Sequence, residues 1–182
     1  MTTFEVQAAA TRLCAACGMC CNGVLFYSVR LQPADSARDL RTLGLKVKRR
    51  SGEPHVLQPC PAHQQTRCTI YEQRPERCRV FECRQLKALA AGEITEAEAL
   101  AAIQEARRLV DRVRDLFREV GETRERKAFS TRYETLFNEP IDPSPGAASL
   151  RGKLTLAMRD LEELLARNFR IEPVASLPPA RE

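Results

Sequence analysis

Residues 14–23 read Cys14-Ala15-Ala16-Cys17-Gly18-Met19-Cys20-Cys21-Asn22-Gly23. Two intervening residues between successive thiols let a turn bring sulfur back towards sulfur. Three cysteines so spaced, with a remote fourth, form the pattern that holds a cubane iron–sulfur cluster. Two at this spacing with a second pair elsewhere form a zinc pattern. Both readings stay open at this point. Gly18 and Gly23 supply the backbone freedom that a crowded ligand loop needs, so the stretch is expected as a tight loop. Cys20 and Cys21 are adjacent, and adjacent side chains in extended backbone diverge. They are therefore expected to serve different centres, or one of them to bridge.

Working outward, the other cysteines are Cys60, Cys68, Cys78 and Cys83, with 7, 9 and 4 residues between them. That spacing is too irregular for a single zinc knuckle, so sites assembled from both clusters are expected. All eight thiols fall in a 70-residue window, and the 99 residues after Cys83 hold none. The start of the chain, MTTFEVQAAATRL, has an acidic residue where a secretory leader would be basic and no sustained apolar stretch. The protein is accordingly read as cytoplasmic, where clustered thiols persist as metal ligands rather than as disulfides. No apolar run approaches the roughly 20 residues of a membrane span. With 43% hydrophobic and 29% charged residues among 182, a packed core is expected and wholesale disorder is not.

The basic charge is uneven. Residues 1–92 carry 14 Lys and Arg against 7 Asp and Glu, while 93–182 carry 15 against 17. Two four-thiolate centres of about −2 each would absorb much of that excess. Arg67, Arg74, Arg77, Arg79 and Arg84 interleave with the last four cysteines and are expected to offset sulfur charge. Nucleic acid is the weaker reading, since no aromatic residues alternate with the basic ones to stack on bases.

The expected architecture is α+β and mostly helical: a cysteine-rich module with short strands over 1–92, a helical segment over 93–170 packed on or beside it, and a disordered tail over 171–182. Residues 4–12 read as a short helix and Val24–Leu31 as a strand. A helix from Pro33 should run to Gly44. Leu45–Arg50 and His55–Leu57 should pair around a turn at Ser51-Gly52-Glu53. Cys60–Cys83 is expected as loops with short helical turns, and 84–91 as helix. Thr95 and Glu98 form a capping box. Beyond them Ile103, Ala106, Val110, Val113, Phe117 and Val120 recur at helical spacing, one apolar seam on a helix from Thr95 to Val120. Core packing is the first reading of that seam, and a protein partner docked on it the second. A shorter helix is expected within 124–137. A last one carries Leu150, Leu154, Ala157, Leu161, Leu164 and Asn168, after a turn at 140–147.

The two cysteine blocks together resemble the CxxCxxCC family of zinc- or iron-chelating proteins, which includes the bacterial flagellin lysine N-methylase. CAACGMCCNG matches its first block. Cys60-Pro61, Cys68, Ile70-Tyr71, Arg74-Pro75, Cys78-Arg79, Phe81 and Cys83 match its second in order and spacing. The resemblance covers about residues 14–83. It implies that Cys14, Cys17, Cys20, Cys21, Cys60, Cys68, Cys78 and Cys83 are all metal ligands, and it tilts the cofactor towards an iron–sulfur cluster of the 4Fe–4S type over zinc. A redox or accessory role follows from the first, and a closed structural site from the second. One departure is His63, where the family carries a large apolar residue. His63 is read first as an ordinary loop residue and second as a ligand or proton shuttle, and His55 as ordinary. Tyr71 and Phe81 are expected to cover the metal site, and Arg74-Pro75 to fix the backbone. Lysine methyl transfer is the one enzymatic activity the resemblance suggests. No glycine-rich nucleotide loop and no Ser–His–Asp or Cys–His arrangement in the sequence supports it. A metal-stapled adaptor is the remaining alternative.

Overall fold

The computed structural model describes residues 3–65, 67–140 and 143–171. The opening helix α1, Thr3–Cys17, is longer than expected. Five alanines at 8–10, 15 and 16 favour helix strongly enough to carry it through the first two cysteines. Cys14 and Cys17 therefore stand on the last turns of a helix rather than in a loop. Gly18 ends it with φ +65°, a left-handed residue that a Cβ would strain.

The strand expected over Val24–Leu31 shrinks to β1, Ser28–Arg30. Its first half is diverted into a turn: the Leu25 amide bonds the Met19 carbonyl at 3.0 Å, and Asn22 Oδ1 accepts from the Val24 amide at 3.1 Å. Val24 and Leu25 are thereby buried. The helix expected from Pro33 begins later, as α2 at Ala37–Thr42, because Ser36 caps it by accepting from the Asp39 amide at 3.2 Å. The hairpin forms as expected from β2, Val47–Arg50, and β3, Glu53–Leu57. Ser51 and Gly52 both adopt positive φ in its turn. β3 lies between β1 and β2 in an antiparallel sheet, with Val56 opposite both Val29 and Val47. A two-residue ladder of β4, His63–Gln64, and β5, Arg67–Cys68, follows. A 3-10 turn at Tyr71–Gln73 then leads into the short α3, Glu76–Val80. Asp35 Oδ1 accepts from the Glu76 amide at 2.9 Å and pins the start of α3 to the loop before α2.

Helix α4, Arg84–Ala90, precedes α5, Glu96–Glu119. The capping box is complete: Thr95 Oγ1 accepts from the Glu98 amide, and Glu98 Oε2 accepts from the Thr95 amide at 2.7 Å. Of the seam, Ile103, Ala106, Val110, Val113 and Phe117 are buried against α1 and against α7, Ala147–Asn168, while Val120 is half-buried. The seam is core, so a partner of α5 has only its charged outer face to meet. Helix α6, Phe129–Asn138, starts five residues later than expected. Glu122 takes the Arg124 amide at 2.7 Å and holds the intervening segment in turns.

The larger core joins Leu13, Met19, Val24, Leu25 and Leu89 to α5, α6 and α7, so it draws on both sides of position 92. A smaller core of Leu31, Leu40, Leu45, Val56, Ala62 and Ile70 lies under the three-stranded sheet. Seven α-helices with a few short antiparallel strands among the described residues make the protein α+β and mostly helical. Residues 172–182, nearly all of the expected tail, lie outside the described residues, as do 141 and 142 of the expected turn. No described helix is long and apolar enough to cross a membrane.

Candidate metal centre

Segments from α1 to α4 bring the thiols together. Cys14 and Cys17 end α1, and Cys20 and Cys21 lie in the turn after Gly18. That turn is closed by the Cys21 and Asn22 amides, both donating to the Gly18 carbonyl at 2.9 and 3.0 Å. Cys60 is joined to it directly, its amide donating to the Cys21 carbonyl at 2.8 Å. Cys68 sits on β5 and Cys78 in α3, where its amide donates to the Pro75 carbonyl. Cys83 stands at the start of α4. Its neighbour Arg84 ties this corner to the end of α7, through an amide bond to the Phe169 carbonyl at 3.0 Å and a guanidinium bond to the Arg167 carbonyl. Gln85 Nε2 adds a bond to the Asn168 carbonyl at 2.9 Å.

Mutual electrostatics couples the thiols most densely in two groups, which Cys21 links by acting on Cys20 and by being acted on by Cys14. Burial pushes the Cys20 thiol well above its usual range, and Cys17, Cys21, Cys83 and Cys14 push it further. Cys17 is raised to about 12, first by burial and then by Cys83 and Cys14, against the pull of the Met19 amide. Burial and Cys83 raise Cys14. A second group forms around Cys21, raised to about 12 by burial, then by Cys60, Cys78 and Cys68, and last by Cys14 of the first group. Burial and then Cys60 and Cys68 raise Cys78 to about 11. Burial and then Cys68 raise Cys60, against the amides of Ala62 and His63. Cys14, Cys17, Cys20 and Cys83 thus act mainly among themselves, as do Cys21, Cys60, Cys68 and Cys78. Adjacent Cys20 and Cys21 fall on opposite sides of the division. Cys14 is exposed, whereas the other seven are half-buried.

The thiols are within reach of one another's charge but not drawn to a common point. Among the described residues no three Cys, His, Asp or Glu side chains stand in the arrangement of a closed metal site. The chemistry of the setting nonetheless fits a cation. Thiols held this high are protonated at neutral pH, and a bound metal is what turns such groups into thiolates. Burial of polar groups without partners is uncommon, yet Gln58 Oε1, His63 Nε2 and Arg74 Nε are all buried and unpartnered beside these cysteines.

Of the five arginines expected to offset sulfur, Arg74 weighs on thiols of both sets, lowering Cys14 and Cys78. Arg79 instead donates to the Arg74 and Glu72 carbonyls, and Arg84 to Arg167. Arg67 and Arg77 are exposed. A cation the sequence did not suggest is Arg107 on α5, which lowers Cys17 and donates to the Ala16 carbonyl at 3.2 Å. Its position directly after Ala106 of the seam carries no sequence signal, because its contact with α1 is long-range. Tyr71 does not cover the site: it is exposed and stacks under the Arg74 guanidinium at 3.7 Å. Phe81 does pack inward, edge-on to Phe26 at 5.1 Å. His55 is part of the sheet, its Nδ1 3.2 Å from Ser28 Oγ.

A model of the CxxCxxCC family, described as a putative zinc- or iron-chelating domain, matches residues 13–104. That span is 92 of the 182 residues, just over half. The chain belongs to the CxxCxxCC family. No curated protein and no solved structure matches it. The CxxCxxCC span ends inside α5, so it includes every cysteine and the first turns of the helix that packs beside them, while Arg107 lies just beyond it.

Proposed function

We propose that this CxxCxxCC protein holds two all-cysteine metal centres, the first of them an iron–sulfur cluster with an electron-transfer or accessory redox role. The division of the thiols into two sets of four carries this reading. The first set is Cys14-x2-Cys17-x2-Cys20 with the remote Cys83, the arrangement of cubane ligation. In two-cluster ferredoxins the last cysteine of the run serves the other cluster, and Cys21, although directly adjacent to Cys20 rather than three residues beyond it, is assigned to the other centre on this reading. A [4Fe–4S] group, when bound, supplies a one-electron couple.

The residues around the first set suit that role. The α1 terminus and the start of α4 present its sulfurs from rigid elements. Arg74 and Arg107 offset the charge of the thiolates. Exposed Cys14 leaves one edge of the set open to a partner, while the larger core backs Cys17, Cys20 and Cys83.

The second set has a structural role. Strands β4 and β5 have two residues each and α3 has five, too little to hold segment 58–80 by backbone pairing alone. Four sulfurs closed on one centre would staple these pieces to the Cys21 turn, and either zinc or a second cluster suits four thiolates.

Metal and acid-labile sulfide analysis of protein purified without oxygen tests the function, together with its visible spectrum. Iron and sulfide in equal amounts, about four each for the first centre, with broad charge-transfer absorption, are expected. Colourless protein carrying zinc alone would remove the redox reading and leave two structural sites.

A further inference from the structure

His63 is the position at which this chain departs from the apolar residue of its family's pattern, and its surroundings give it a task. It pairs directly with Cys68 across the β4–β5 ladder, and residues so opposed keep their Cβ atoms about 4.5–5.5 Å apart on one face. Its amide donates to the Cys60 carbonyl at 3.0 Å and also draws on the Cys60 sulfur. Its ring lies against Gly18, so close that a Cβ there would come within 3.0 Å of Cε1. The Gly18 carbonyl closes the turn that presents Cys21. One residue thus touches, through its amide, its ladder position and its ring, the surroundings of three of the four thiols in the second set. Its Nε2 is buried and has no partner, a cost that a polar atom seldom bears without a purpose.

We propose that His63 is a positioning residue for the second centre, its Nε2–H donating a hydrogen bond to one of the thiolates of Cys21, Cys60, Cys68 and Cys78 when metal is bound. Coordination is the competing use of the nitrogen. On the proposed function eight cysteines fill two four-coordinate sets and leave no position for a ninth donor. A donor to a metal-bound sulfur fixes its orientation and slows loss of the metal, and removing such a partner typically costs 10–100-fold in affinity. Gly18, whose φ of +65° already favours glycine, stands so near the ring that a Cβ there would press on Cε1 and Nε2 at 3.0 and 3.1 Å.

The inference rests on the second set being a metal centre, so the experiment reports on both. The parent for it carries Cys17→Ser and Cys20→Ser, which leaves the second centre alone to be loaded. Metal content and the rate of metal release to excess chelator are measured for this parent and for its His63→Leu and His63→Gln versions. Far-ultraviolet circular dichroism checks that each is folded. The expected result is equal metal content in all three, release about tenfold faster in the Leu version, and a rate near the parent's in the Gln version, whose amide restores a donor. Equal release rates in the parent and the Leu version overturn the inference and leave the centre standing. Loss of the metal in both versions, with the parent loaded, also overturns it and makes the imidazole a ligand. A folded parent that takes up no metal overturns the second centre itself.

Discussion

At the scale of single residues, the most consequential side chain away from the cysteines is Glu122. It is fully buried and accepts from the Arg124 amide, from Arg124 Nε at 2.8 Å and from the buried Arg132. Burial would raise its pKa, but the bonds from Arg124 and Arg132 outweigh it and hold the carboxyl below its usual range. A depressed folded pKa means stability that is fully present above about pH 4.5 and lost as pH falls below it. Glu122→Ala would strand Arg132, whose guanidinium lies over Phe117 at 4.2 Å. It should cost about 3–5 kcal/mol at pH 7. Urea denaturation at pH 7 and pH 4 checks both effects, and the variant's deficit should narrow at the lower pH. Nothing in the sequence marked Glu122, because a Glu in a charged stretch looks solvated until the fold closes over it. His63 was visible only as an oddity of the family pattern, its use depending on a ladder of two residue pairs.

At the scale of elements, the parts legible in the sequence are those whose signal is local. Helix α5 announces itself twice, by the Thr95–Glu98 box and by its seam, and Gly121 at φ +76° follows its end. The hairpin of β2 and β3 is set by Ser51-Gly52. Elements decided by distant or competing bonds were misjudged. The α1 helix overran its expected end because alanine propensity outweighed the loop character suggested by the glycine and cysteines. The strand after Gly23 was shortened because the Leu25 amide turns back to Met19. Because the α5 seam is core, Phe117→Ala should lower unfolding stability by about 3–5 kcal/mol, read by chemical denaturation. Val113→Ser should destabilise in the same direction. Neither removes a sulfur, so metal content of the folded fraction should match that of the unaltered protein.

At the scale of the whole molecule, the eight cysteines were legible as the mark of a chelating-domain family, while the pattern of coupling among them was not. It depends on the Gly18 turn sending Cys20 towards Cys83 and Cys21 towards Cys60, and on the start of α4 standing beside the end of α1. Spacing along the chain carries neither fact. The burial that gathers the thiols also makes the metal-free fold sensitive to alkali. Thiols held at about 11 to 12 contribute stability that is complete below about pH 9 and lost progressively as pH rises towards those values. A fall in melting temperature of the metal-free protein between pH 8 and pH 10.5, reduced when metal is bound, is the expected reading.

The division of the thiols is the central claim, and metal content per chain in two paired variants tests it most directly. Cys17→Ser with Cys20→Ser should remove one centre and spare the other. Cys68→Ser with Cys78→Ser should do the converse, so that the two losses together account for all the metal of the unaltered protein. A variant pair drawn across the sets, Cys17→Ser with Cys68→Ser, should lose both. If the crossed pair keeps a full centre while either matched pair loses everything, the thiols are divided differently and the account of two neighbourhoods is wrong.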